Sequence, residues 1–471
     1  MNPVKKILIA VSVLVVLGIL AVPGIAGMQA EEQYKGFTSR FAASGLKIKR
    51  NDYQRDWFQA NAETEVEFML PEQPGGGEAT SFSFIIKSEI THGPFSMKHG
   101  FSQHIASIET RLLFDDDSFI PAGYPAHIKT LVGLDGGGKV TLDFPAYERP
   151  AKEGQPAVDF TGAKGEVVFT AGYNKVVANF SLPRLYVKEE GELSIEISEV
   201  VLNSDVTRGI EDLMLGGGTF SIGSIRVVLE TAGADVDLRN LRFKYSASAA
   251  NNMVDTAVSY NLDTVSTQGK SFGPMALDFR VSNLSAAVVA SFQQALEEIS
   301  SQHLPPSQQA MVILGVMMSS GSEFLKSDPK IALEKLHVVT PDGIIEGNFQ
   351  VQSEDLQWAD IGNIGVVLKK LIVDARLRMP EKFLRAAIEQ QSRQSVIAQI
   401  NQQRQLGEQV PDPDPEQLKL QTTMMAGKQI ETLLAQEFLV RDGSDIATIA
   451  NLQDGLLSVN GKSIPLPMVV Q

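Results

Sequence analysis

From residue 62 onward apolar side chains recur at every second position, and that period of two constrains the fold more than any other feature. In the segment 62–70, Ala62, Thr64, Val66, Phe68 and Leu70 share one side, while Glu63, Glu65, Glu67 and Met69 share the other. Such alternation belongs to a strand with one buried and one wet face. It returns in Phe82, Phe84 and Ile86, in segments 167–170 and 175–182, and in Leu193, Ile195 and Ile197. It continues over 220–230, then in Val236 and Leu238, then in Leu241, Phe243 and Tyr245. Loops such as Asp135-Gly136-Gly137-Gly138 separate these pieces at hairpin distances. The pattern predicts a run of antiparallel hairpins from about 50 to 285, without the fixed-period repeat of a solenoid.

Helical spacing starts near Leu284, where Leu284, Val288, Ala290, Phe292 and Leu296 line one side. Pro305-Pro306 separates that helix from a second over 308–325, and a hairpin follows around Pro341-Asp342-Gly343. A third helix is expected over 381–405, and Asp412-Pro413-Asp414-Pro415 breaks it before a fourth that runs to Leu434. The chain closes on a hairpin whose Asn460-Gly461 pair favours a type I′ turn.

The N-terminus is different in kind. After Lys5 and Lys6, residues 7–28 carry Ser12 as their only polar side chain. At about 1.5 Å per residue the segment is long enough for a hydrocarbon core of about 30 Å. A signal peptide cleaved after Gly24-Ile25-Ala26 would also explain the basic start and small residues. The run exceeds the usual apolar region of such peptides, so an uncleaved anchor is the expectation. The two lysines hold the start in the cytoplasm, with the rest on the far side of the membrane. Past the anchor, Tyr34, Phe37, Phe41 and Leu46 recur at near-helical spacing, as in a short stalk.

The expected fold class is therefore α+β, mainly β, with one N-terminal transmembrane helix, a long antiparallel sheet body and helices concentrated in the C-terminal half. The expected divisions are an anchor at 1–28, a stalk helix and linker at 29–50, a β-rich region at 51–284 and an α+β region at 285–471.

Composition removes several functions. With 41 Lys plus Arg against 56 Asp plus Glu, the 471-residue chain has a formal charge of −15. Nucleic acid is not an expected partner, because phosphate binding needs clustered cations. The acidic body is also repelled by anionic headgroups, so the tether holds it to the membrane. With 0 Cys there is no disulfide, thiolate metal site or thiol nucleophile.

Short motifs carry a resemblance. Tyr53-Gln54-Arg55-Asp56-Trp57-Phe58 leads into a strand, and Ile90-Thr91-His92-Gly93-Pro94-Phe95 follows. Near the end stand Asp454-Gly455-Leu456-Leu457 and Val459-Asn460-Gly461-Lys462. With the basic start and apolar segment, these make nearly the whole chain resemble the YdgA-like family of bacterial envelope proteins. The resemblance implies an inner-membrane-anchored protein with an extracytoplasmic body. It brings no activity, cofactor or catalytic residue.

Read as chemistry, the motifs are structural. Tyr53, Trp57 and Phe58 form an aromatic corner with Arg55 and Asp56 as an available ion pair. Gly93 and Pro94 make a turn after His92 that lets Phe95 return to the core. His92, His99 and His104 are spaced for neither one helix face nor one strand face, so no metal is expected. Asp454 and Gly455 are read as structural, as is the Asn460-Gly461 turn pair. Gly133 to Lys139 has the spacing of a phosphate loop, but Val140 stands where Ser or Thr would bind magnesium. A hairpin is expected there. Asp115-Asp116-Asp117 lacks the spaced ligands of a calcium loop.

No catalytic residue, metal site or cofactor is thus expected. The function anticipated is that of a noncatalytic, membrane-anchored envelope scaffold or interaction protein, whose partners would be an envelope protein or a lipid-like apolar ligand. The alternative is an extracytoplasmic hydrolase of an envelope polymer, which would need a pair of convergent carboxylates.

Overall fold

The computed structural model describes residues 46–55, 59–69, 81–92, 95–96, 100–101, 104–114, 121, 123–152, 155–302, 306–405 and 414–465. The segment expected to anchor the chain, and most of the expected stalk, lie outside them. Among the described residues no helix is long and apolar enough to cross a membrane. The chain divides into two units, one reaching Gly269 and including Leu284–Phe324, the other formed by Lys270–Asn283 and Leu325 onward.

The first unit opens with β1 (Leu46–Arg55), β2 (Gln59–Met69) and β3 (Ser81–His92). A small ribbon, β4 (Phe95–Ser96) with β5 (Gly100–Phe101), precedes β6 (His104–Phe114). Shorter strands follow: β7 (His127–Gly133), β8 (Gly138–Phe144), β9 (Tyr147–Arg149), β10 (Ala157–Phe160) and β11 (Ala163–Phe169). Then come the long ones, β12 (Lys175–Glu189), β13 (Leu193–Arg208), β14 (Met214–Leu229) and β15 (Ala234–Ala250). They end with β16 (Met253–Leu262) and β17 (Thr264–Thr267), which share one edge of β15.

Every pairing is antiparallel, and the neighbours run β1, β2, β3, β6, β7, β8, β11, β12, β13, β14, β15. Strands this close in sequence need only hairpins to join them, so the alternating sequence suffices without crossover helices. The expected hairpin at 133–139 is present, with the Gly137 amide donating to Asp135 Oδ1. Leu46, whose spacing fits a stalk helix, instead opens β1 opposite Phe68.

One face of this sheet makes the core. Val66, Phe84, Leu112, Val132, Leu142, Val167, Leu182 and Ile197 come from eight different strands and belong to one buried cluster. The intervening residues face water, as the period of two requires. Helix α1 (Ala286–Gln302) and all but the last two residues of α2 (Pro306–Lys326) complete the unit. Ala286, at the start of α1, packs with Leu213 and Val254.

The second unit is smaller. It contains β18 (Lys270–Phe272), all but the last two residues of β19 (Met275–Ser285), β20 (Lys330–Thr340), β21 (Gly343–Ser353) and β22 (Leu371–Pro380). Between the last two lies α3 (Ile364–Lys370), and after β22 come α4 (Glu381–Gln405) and α5 (Pro415–Ala435). The unit closes on β23 (Val440–Asp442), β24 (Asp445–Gln453), β25 (Leu456–Val459) and β26 (Lys462–Ile464). Helices α4 and α5 pack through Ile388, Ala426 and Ile430. Glu381, at the first residue of α4, holds Arg441 and Arg385. Those two guanidinium groups, Arg441 first, keep its carboxyl below the ordinary range.

The C-terminal hairpin extends the sheet, since Leu457 of β25 pairs with Leu452 of β24. Asn460 (φ 49) and Gly461 (φ 81) both take the positive φ of a type I′ turn. Val459 is buried, whereas Leu456 faces outward at 73% exposure. Asn460 does more than turn the chain: its Oδ1 accepts the Ile449 amide and its Nδ2 donates to the Glu437 carbonyl, both at 2.8 Å. Asn460→Ala removes both bonds and leaves an alanine at positive φ. The expected loss is about 2–3 kcal/mol, read as a lower midpoint in thermal unfolding. An unchanged midpoint would show that the hairpin does not help hold this unit.

Candidate functional site: a creased, half-open apolar face

The inward face of the first unit does not stay closed. Across β2 to β13 most of its side chains are buried, but from β14 onward most are only partly buried while keeping their apolar character. Phe220, Ile222, Ile225, Val227 and Leu229 of β14 pack against the core cluster from its open side. Their partners on β15 are Phe243, Leu241, Leu238, Val236 and Ala234. Beyond these, Tyr260 and Val258 of β16 and Val265 of β17 extend the same face. Tyr260 is 48% exposed and Val236 40% exposed. None of these inward positions carries a charge, while Arg226, Arg239, Arg242 and Lys244 occupy the opposite face. A half-open face so free of charge is unusual for a water-exposed sheet, and this makes it the candidate site.

Aromatic rings occupy its middle. Phe243 lies 5.0 Å from Tyr260 and 6.2 Å from Tyr245, centroid to centroid. The Tyr245 ring lies over Gly218, where a Cβ would come within 2.7 Å of Cε1. Its hydroxyl and that of Ser204 are 2.7 Å apart, which supplies one polar contact on an otherwise apolar shelf.

A second feature crosses this face. In each long strand the period of two slips by one residue at one level. Leu182 and Leu185 both face inward around Pro183, as do Ile197 and Val200 around Glu199. Ile222 and Ile225 do the same around Gly223, and Leu238 and Leu241 around Asn240. The pairs flanking each slip keep one register. They set Pro145 opposite Gly162, Gly162 opposite Pro183, Pro183 opposite Glu199, and Glu199 opposite Gly223. The line continues from Gly223 to Asn240 and from Asn240 to Asp263, between β16 and β17. Gly162 (φ 95), Glu199 (φ 54) and Asn240 (φ 54) take positive φ. The Asn240 amide donates to Asp263 Oδ2 at 2.8 Å. At the other end the buried Tyr124 hydroxyl donates to the Pro145 carbonyl, and burial, helped by the Asp143 charge, pushes its pKa above the ordinary range. The result is a crease running perpendicular to the strands, an aligned row of single-residue pleat faults.

The motif residues lie elsewhere. Tyr53, on β1, packs on Ala60, Ala62, Ile90 and Ile108. Arg55 ends β1 in register with Ala60, and His92 ends β3 opposite Ala106. Phe95 pairs with Phe101 in the small ribbon. Trp57, Phe58, Gly93, Pro94, His99 and Asp115–117 lie outside the described residues. Asp454 (φ 52) and Gly455 (φ 76) form the turn between β24 and β25, close to Lys369. Among the described residues no group of three or more His, Cys, Asp or Glu side chains could hold a metal ion. Apolar side chains also stand exposed on α2, at Met311, Leu314 and Met318.

A family model described as a bacterial protein of unknown function, DUF945, matches residues 4–467. No curated protein and no solved structure shows a significant match.

Proposed function

The chain belongs to this bacterial family, DUF945, and for this member we propose a noncatalytic envelope protein that binds a lipid-like ligand on the half-open face of β14 to β17. The observation that carries the reading is the uncharged, half-exposed row continuous with the buried core. Apolar area in contact with water is unfavourable by about 25 cal/mol per Å², so a ligand that covers this face gains from doing so. An aliphatic ligand demands no hydrogen bonds in return, and the inward positions offer almost none.

The cellular setting follows from the N-terminal sequence. The apolar segment 7–28, behind Lys5 and Lys6, supports an uncleaved inner-membrane anchor with the body in the periplasm. The YdgA-like motifs support the same setting. A protein held beside a bilayer has acyl-chain lipids within reach, so tether and face fit one role.

The test uses the full-length chain extracted from membranes in detergent. Lipids that remain bound after exchange into a second detergent are measured by mass spectrometry, for the wild type and for Leu238→Glu. The wild type is expected to retain a defined lipid class, and the variant to lose most of it while melting as a folded protein. Equal retention by both would mean that lipid follows the anchor alone, and would overturn the reading.

A further inference from the structure

We propose, resting on the lipid reading above, that the crease is the seat of the ligand and that it takes one extended fatty-acyl chain lying across the strands. At each pleat fault the strand spends an extra residue on its outer side, as with Pro183 and Arg184, Ser198 and Glu199, and Arg239 and Asn240. A longer outer path bends the sheet toward its inner face, and the bend is shared because the faults are in register. The crease is therefore concave on the apolar side.

Its walls have the right chemistry. On the open part, one wall is Ile222, Leu241 and Leu262, and the other is Ile225, Leu238 and Val265, all half-buried. These six side chains are aliphatic, with no hydroxyl, amide or charge among them. A protein segment laid there would bury its backbone amides without partners, which costs about 1–3 kcal/mol for each group. A hydrocarbon chain has nothing to leave unpaired.

The length also fits. From β13, where Ile197 and Val200 are buried, to β16 and β17 there are three strand spacings, or about 14 Å. One leaflet of a bilayer with a core of about 30 Å holds chains that reach about 15 Å. The closed end at β13 would meet the methyl terminus, and the chain would run outward along the crease.

The experiment is photolabelling of the full-length protein in detergent with a fatty acid carrying a diazirine at mid-chain. After digestion, adducts are mapped by mass spectrometry. They are expected to concentrate on the six wall residues, and Leu241→Trp, which fills the crease, should reduce labelling at least fivefold. Ala247→Trp, on the same face but six residues up the same strand, should leave labelling as in the wild type. Adducts spread evenly over the face, or labelling unaffected by Leu241→Trp, would overturn the crease as the seat while leaving a lipid-binding face. Absence of labelling anywhere on β14 to β17 would overturn both. The wild-type map stands whether or not either tryptophan variant folds.

Discussion

Leu182→Ala should destabilise the first unit by about 2–5 kcal/mol, while Leu241→Ala should cost only about 1 kcal/mol. The two leucines stand on the same wall of the crease, Leu182 on β12 and Leu241 on β15. Leu182 is 0% exposed and lies within the closed cluster. Removing its side chain leaves a cavity that its neighbours on β11 and β13 cannot collapse into without breaking strand register. Leu241 is half-exposed, so water occupies the space its truncation vacates. Urea unfolding of the two variants against the wild type measures the contrast. Equal losses would mean that the face is as closed at β15 as at β12, and the idea of an open surface would fail with them.

The same crease explains what the amino-acid pattern revealed and what it hid. The alternation over 175–182 stops at Pro183, and that of Leu193, Ile195 and Ile197 stops before Glu199. The even-numbered Val236 and Leu238 give way to the odd-numbered Leu241, Phe243 and Tyr245. Each break reads as the end of a short strand, because period-two reasoning assumes an unbroken pleat. The structure instead has single strands of 15 to 17 residues, each with one slipped residue in its middle. The class of fold was legible, since alternation and hairpin-length loops leave little besides an antiparallel sheet. The alignment of the slips was not, because it depends on the register between strands. Nor was the division into units, since the chain leaves the first at Gly269 and returns at Leu284 without a compositional break. Asn460-Gly461 was legible because type I′ chemistry is local, but the two side-chain bonds of Asn460 reach Ile449 and Glu437 and are long-range. The half-open face escaped for a related reason. Phe220, Leu241 and Phe243 look like ordinary core residues until the structure leaves them half-uncovered.

If the crease is built into the fold rather than a tolerated defect, Gly162→Val should be among the most damaging single changes in the first unit. Gly162 is held at φ 95, where a β-branched residue is strained by about 1–3 kcal/mol. Space is lacking as well: a Cβ there would lie 2.8 Å from the Phe144 carbonyl oxygen and 3.3 Å from the Ala146 amide nitrogen. Both atoms are backbone, so relief requires β8 or β11 to move, and Phe144 and Ala163 beside them are buried. The sum should exceed about 3 kcal/mol, which is large against the total stability of an ordinary domain. Glu199→Gly, at the crease in β13, is the opposite case. A non-glycine residue at φ 54 gives up about 1 kcal/mol to its backbone, and glycine removes that strain. The greater freedom of glycine in the unfolded chain offsets part of the gain, so the melting temperature should stay level or rise slightly. Thermal unfolding of both variants decides the matter. Little effect from Gly162→Val would mean that the sheet can flatten at this row, and a sheet that flattens there has no crease to offer a ligand.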